Sequence, residues 1–536
     1  MFGKPQRIRK RNADGNLFVD RHYGYNAYQE LCRSEEPETG TTLMGYDTAG
    51  NLKWSSSGLP TGQACEPNGT TTAVAARRSD RTYNNRNRLQ DLAFPGGSGN
   101  QTWQYWPDGL PYKITTHNDG LNAGIVENTY AYNKRRMLTG ESSTQLGWYT
   151  WGIGYGYDSN GSLSTQTYPT GLVISYGPNA LGHATRASDQ TGYSYVHGAT
   201  YYPNGALKQF TYANGLIHSM AQNARQLPDR VTASGLAMDF SYRYDANGNV
   251  NQIYDHVPDM IPGSAPKYRL MEYDGLDRLA AAGSAMFGGD HWHRFTYNAL
   301  DNMTSWKLGG VKDYAQYVYN TQNRLTNIKN SAGASIVGLE YDPQGNLATK
   351  NSQAYQFDYG NRLRSVVNKE NYRYDGHGRR VLAWEVASTQ SILSMYSNAG
   401  QVMYEENYRP NVQKATEHIY LAGSIVASRD RHIVTNVYST KFHHTDALGS
   451  PVAVTNQAGT VIERNDYEPL RALRRHHRQA DLSGHRLHGA CAGWGYRPDV
   501  HAAAVLRSAG GGLSKCRPGN CLWRTCWTVQ SLPLRQ

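Results

Sequence analysis

The chain has 536 residues, a formal net charge of +11 and a mean hydropathy of -0.67, yet only 18% of its residues are charged. The polarity comes from Asn, Gln, Ser, Thr, Gly and forty tyrosines, which argues against a charged disordered chain. No apolar run approaches the 18 residues of a membrane-spanning helix. The six cysteines are too few to scaffold a chain this long; Cys32 and Cys65 either pair or stay as free thiols.

In chain order, Met1 is followed by Phe-Gly-Lys-Pro-Gln-Arg-Ile-Arg-Lys-Arg, which lacks the apolar core of a secretory signal. Residues 1–45 read as a lead-in, with Arg7, Arg9, Lys10 and Arg11 expected as a solvated tail rather than a nucleic-acid arm. The stretch 17–55 already reads as mid-array repeat with no cap. The expectation is therefore a truncated natural N-terminus, with signal-independent export as the other option.

From Tyr46 a motif recurs: Tyr46-Asp47-x-x-Gly50-Asn51, Tyr157-Asp158-x-x-Gly161, Tyr244-Asp245-x-x-Gly248-Asn249 and Tyr341-Asp342-x-x-Gly345-Asn346. Looser copies are Tyr273-Asp274-Gly275-Leu276-Asp277-Arg278, Tyr319-Asn320 and Tyr374-Asp375-Gly376-His377-Gly378-Arg379. The spacing is roughly 16 to 24 residues, and a repeat takes precedence over any domain count from length. Each unit predicts a β-hairpin. Tyr and alternating residues form a strand, Asp bonds the backbone two residues on, Gly accepts positive φ, and the following Leu returns on the Tyr side. Pro107-Asp108-Gly109-Leu110, Pro203-Asn204-Gly205-Ala206 and Ala213-Asn214-Gly215-Leu216 read as a second turn type alternating with the first. One hairpin cannot bury a face alone, so neighbours must stack. Residues 66–78 and 255–268 break the period and read as loops.

These residues resemble the YD repeats of the RHS (rearrangement hotspot) family, related to teneurins and to the shells of bacterial insecticidal toxin complexes. The resemblance implies an all-β array of YD hairpins spiralling into a hollow shell, open or incomplete here. It also implies a bacterial secreted or cell-surface setting, with an encapsulated C-terminal toxin, its immunity protein and secretion machinery as partners. The array is read over 46–415. Residues 416–470 resemble the opening of the RHS-associated core domain, through His444, Asp446, Leu448, Gly449, Ser450, Tyr467 and Pro469. His443, His444 and Asp446 are possible metal ligands, but adjacent strand residues face opposite sides, so structural hydrogen bonding is the expectation. No cofactor, catalytic or metal site is assigned.

After Pro469 the composition changes. Residues 471–536 hold eleven Lys and Arg against two acidic residues, four cysteines and a single Tyr. Cys516, Cys521 and Cys526 lack the usual paired zinc spacing. Arg474-Arg475-His476-His477-Arg478 offers a phosphate-binding patch without catalytic spacing. One reading is a small basic effector. The other is translation out of frame. Synonymous codons for 499–510, read one base later, allow Gln-Arg-Tyr-Tyr-Asp-Pro, which the resembling core domain requires. The same shift after Pro469 allows Phe-Gly-Arg-Phe-Ala. A one-base frameshift near codon 470 is the expectation, which removes the family's closing Asp-Pro autoprotease motif and any payload. A different reading is a carbohydrate-binding surface protein using Trp103, Trp106, Trp148 and Trp151 as stacking faces, against ordinary sheet packing.

Overall fold

The computed structural model describes residues 3–469, apart from 122, 265 and 389, and the strand Leu473–Arg475. The fold starts on the segment expected to be a solvated tail. Arg7–Arg11 is a strand, antiparallel to Phe18–Tyr25, with Arg7 opposite His22 and Arg11 opposite Phe18. Alternate strand residues share a face, so Arg7 and Arg9 both reach Asp20, at 2.8 and 2.6 Å. That carboxylate is the physical reason the basic run is ordered. Among the described residues nothing pairs with the other edge of this strand, and its cations keep that edge from templating further pairing.

The following strands pair antiparallel with their chain neighbours, except where Lys312–Tyr314 and Gln316–Tyr319 meet. One sheet has 26 strands and ends at Lys312–Tyr314; the next has 16, from Gln316–Tyr319 to Leu473–Arg475. The two join at Ala315, whose N–H donates to the Lys329 carbonyl at 2.9 Å. The fold is therefore all-β, one continuous ribbon of hairpins. The two period breaks are short excursions. Residues 66–78 carry a helical turn, Thr72–Ala75, whose Val74 fills a core with Leu43, Trp54 and Leu59. Residues 256–266 carry the 3-10 turn Pro258–Met260. Cys32 and Cys65 are joined as a disulfide, with Cα atoms 5.4 Å apart, which settles their pairing.

The ribbon coils back on itself. Lys10 pairs with Asp301, 291 residues on, and Arg324 donates to the Glu38 carbonyl, 286 residues back. Asn118 meets Tyr374 across 256 residues, Tyr168 meets His418 across 250, Tyr212 meets His443 across 231 and Lys267 meets Asp466 across 199. The falling separation means the spiral tightens. The second coil first sits edge-on, its Tyr-Asp turns against the far rim of the first. Gly58 and the backbone of Pro343–Gln344 approach so closely that a Cβ on Gly58 would lie 2.9 Å from it. Further on the packing is face to face. Tyr404, Ile419, Ala427 and Phe442 bury against Ile153, Tyr168, Ile174, Tyr195, Phe210 and Tyr212. A second core lines one face of the ribbon from Ala282 to Tyr374, and a third joins Val231, Met238 and Phe240 to Val452.

Candidate functional site

The repeated turn is the unit from which any function must be built. Asp47 N–H donates to the Asn51 carbonyl (2.9 Å) and Gly50 N–H to the Asp47 carbonyl (3.1 Å). Asp47 Oδ1 accepts the N–H groups of Ala49 and Asn51, both at 2.9 Å, and Oδ2 accepts the Asn51 side-chain amide at 3.0 Å. The same carboxylate clamp recurs at Asp158, Asp245, Asp274, Asp342, Asp375 and Asp446. At Asp274 and Asp375 the fifth turn residue is arginine, and Arg278 and Arg379 give Nε to the carboxylate at 2.7 and 2.8 Å. Burial pushes the carboxyls of Asp47, Asp245 and Asp274 up, but these donors outweigh it and hold them below the usual range. Gly50, Gly161, Gly248, Gly345, Gly378 and Gly449 occupy the left-handed slot, with φ between 74° and 93°.

The tyrosines do more than cover a sheet face. Each pairs with the first residue of the return strand, as Tyr46 does with Leu52, beside a β-bulge. Each hydroxyl then donates to the corresponding carbonyl of the preceding hairpin. Tyr46 reaches Leu31 (2.9 Å), Tyr157 reaches Leu138 (2.7 Å) and Tyr244 reaches Pro228 (2.7 Å). Tyr273 reaches Val250 (2.9 Å), Tyr341 Leu325 (2.8 Å), Tyr374 Leu363 (2.5 Å) and Tyr467 Pro451 (2.8 Å). Burial raises the phenols of Tyr46, Tyr157, Tyr244, Tyr273 and Tyr374, those of Tyr244 and Tyr374 to about 12, so they stay protonated donors.

The expected alternation of two turn types does not hold. Residues 106–110 and 202–206 occupy the same rim and backbone slot as the Tyr-Asp turns. Trp106 N–H bonds Leu110 O and Gly109 N–H bonds Trp106 O, and Tyr201 reaches the Ala184 carbonyl as the motif tyrosines do. Proline at the second position fits the same turn, with Asp108 and Asn204 accepting the N–H two residues on. Of the three, 212–216 lies on the opposite rim.

Between the coils lies a buried polar seam that local sequence reading missed. The Asn118 side chain accepts Tyr374 N–H at 2.8 Å and donates to Tyr374 O at 3.0 Å, acting as a one-residue strand. Asn128 accepts Gly376 N–H (2.9 Å), Gln101 donates to Gly376 O (3.0 Å) and Tyr130 bonds His377 (2.7 Å). Gly376 fits because a Cβ there would lie 2.5 Å from Ile114. Arg373 pairs with Asp119, and Glu141 accepts the N–H of Asn398 at 2.8 Å. Asn118-Asp119-Gly120 looks like any other turn; no local signal distinguishes an asparagine that caps from one that crosses.

In the 416–469 stretch His443 and His444 point to opposite faces. His443 Nε2 bonds Ser428 Oγ (3.0 Å) and His444 Nε2 bonds Thr455 Oγ1 (2.9 Å). Burial, with help from neighbouring histidines, pushes both rings down to about 3. Asp446 clamps Leu448 and Ser450 N–H, leaving Leu448 71% exposed at the turn tip; Pro469 is half-buried at the end of the run. Lys414 and Lys441 lie 2.7 and 3.2 Å from Asp430. Ser428 and His443 form a pair, and at 2% and 1% exposure both are closed off from solvent. Among the described residues no group of three or more His, Cys, Asp or Glu side chains is placed to hold a metal, and no helix is long and apolar enough to cross a membrane. Trp151 packs edge-on against Tyr404 and Trp103 bonds Gln101, whereas Trp106 and Trp148 are partly open. The expected frameshifted tail lies outside the described residues, apart from the backbone of Leu473–Arg475.

Residues 236–473 match the family model described as Teneurin YD-shell. Double-stranded DNA deaminase toxin A of Burkholderia cenocepacia (strain H111) is 23% identical over 253 residues, covering 39% of this chain and 17% of that protein. The pore of the Photorhabdus luminescens Tc holotoxin superposes with a TM-score of 0.56 at 14% identity, over 87% of this chain and 27% of that one. TcdB2-TccC3 gives 0.55 at 14% identity, over 87% and 28%. The chain thus spans well under a third of the proteins it matches. The matched stretch, 236–473, and the Tyr-Asp clamps, tyrosine ladder and coiled ribbon built around it make this chain similar to the YD-shell proteins of teneurin type.

Proposed function

We propose that this chain is a section of the wall of a bacterial toxin-delivery protein, a structural shell without catalysis of its own. The observation that carries the reading is the second coil seated on the first through a buried seam while the spiral tightens. A wall built that way separates an inside from an outside. The intact protein then encloses a C-terminal toxin, is secreted or displayed at the cell surface, and has the toxin, its immunity protein and an export machinery as partners. The toxin names and complexes among the similar proteins support the toxin partner. The core region 416–470 opens the closing element, and the frameshift near codon 470 removes the rest of it, the autoprotease motif and the payload.

Two steps test this. Resequencing codons 460 to 515 shows whether removing one base restores Phe-Gly and Arg-Tyr-Tyr-Asp-Pro; if no other frame holds them, the basic tail is an appended domain. The frame-restored protein is then treated with protease. A segment beyond the core domain that survives in the native protein and is digested once the shell is denatured supports enclosure. Equal digestion in both states contradicts it. Glycan binding is the competing reading, and it rests on Trp106 and Trp148; a glycan-array signal lost on replacing both would favour it.

A further inference from the structure

A cavity of about 140 Å³ opens across the seam between the coils. The first coil supplies the turn at Thr170 and the side chain of Gln190; the second supplies Glu417, Arg429, Arg431 and Tyr438. The carboxylate and amide acceptors in this wall are already engaged. Glu417 Oε1 takes the Thr170 hydroxyl and Oε2 lies 3.3 Å from Arg429 Nη1. Gln190 Oε1 takes the N–H of Val173 at 2.9 Å. The donors are not exhausted. Arg431 gives one N–H to Asn436 Oδ1 at 3.0 Å and also meets the Tyr404 hydroxyl, which itself donates to Glu406 at 2.6 Å; among the described residues no carboxylate forms an ion pair with Arg431. Two guanidinium groups against one carboxylate leave the wall cationic. Arg429 lies over the Tyr438 ring, 4.5 Å from its centroid, and Tyr438 is 53% exposed, which leaves an aromatic surface open to a ligand. The volume is that of about four to five waters.

We propose that this cavity binds a small carboxylate, its two oxygens accepting N–H groups from the planar fork of Arg431. A uronic sugar and the acidic side chain of a peptide both present that group. The site does not depend on the shell reading, because its chemistry is local to the seam.

The test is isothermal titration of the whole protein with glucuronate, N-acetylglutamate, glucose and inorganic phosphate. The expected result is saturable binding of at least one carboxylate, none of glucose, and affinity at least tenfold weaker in Arg431→Gln. Arg431→Lys keeps the charge but not the fork and should fall between. Arg225→Gln, on a distant turn, should bind as the parent does. Glucuronate alone binding points to a sugar, N-acetylglutamate alone to a peptide, and both to recognition of the carboxylate itself. The proposal is overturned if neither carboxylate binds, if phosphate binds more tightly than both, or if a folded Arg431→Gln protein binds undiminished. Tryptophan fluorescence of each variant establishes folding; should Arg431→Gln not fold, Thr170→Val, which frees Glu417 to compete for the arginines, must weaken binding instead.

Discussion

Tyr319 shows what the repeat asks of a single side chain. Its hydroxyl donates to the Met303 carbonyl at 2.8 Å, one hairpin back. Tyr319→Phe keeps the ring and removes one hydrogen bond, so it should cost about 1 kcal/mol, read as a lower urea midpoint at unchanged slope. Arg136 makes the opposite case. It sits exposed at φ 64°, in the slot that Gly161 fills in the next turn. Arg136→Gly removes backbone strain and should stabilise by up to about 1 kcal/mol, whereas Gly161→Ala should destabilise by a similar amount. The Asp clamp and the glycine slot were legible in the sequence, because both act within five residues. The hydroxyl ladder was not. Its acceptor is a backbone carbonyl 11 to 23 residues upstream, and a carbonyl leaves no mark on composition.

At the scale of the element, strands and turns followed from the motif, and the exceptions have physical causes. Arg7–Arg11 is a strand because Asp20 stands opposite it. The Pro-x-Gly turns share the Tyr-Asp rim because a type I turn accepts proline at its second position. What no repeat could announce is which turn meets which strand one coil away. Asn118 carries that contact at Tyr374. Asn118→Leu would strand a buried N–H and carbonyl at Tyr374 and withdraw the partner of Arg364 Nη1, 2.6 Å away. The expected loss is about 3 kcal/mol, well above that of Asn204→Leu on an exposed turn. Equal losses from the two variants, measured by urea denaturation, would show that the seam contributes nothing beyond a turn.

At the scale of the molecule, the tightening of the spiral forces polar side chains into the packed interface. His218 and His418 are pushed down to about 4, and His443 and His444 to about 3, by burial first. An unfolded histidine titrates near 6.5. Below that pH the unfolded chain takes up protons that the folded one refuses, so stability falls until the folded values are reached. Each pH unit in that window costs about 1.4 kcal/mol per histidine. The urea midpoint should therefore drop from pH 6.5 to pH 5, and His444→Gln should flatten the drop; a midpoint constant over that range would contradict the burial of these rings. The central claim is that one ribbon makes two coils in contact. Zero-length carbodiimide cross-linking followed by peptide mapping tests it most directly, because Lys267 lies 3.2 Å from Asp466, Lys312 lies 3.9 Å from Glu468, and Lys10 pairs with Asp301. Peptides joining 10 to 301, 267 to 466 and 312 to 468 are the predicted products. Links confined to neighbouring hairpins, such as Lys113 to Glu127, would show that the coils do not stack.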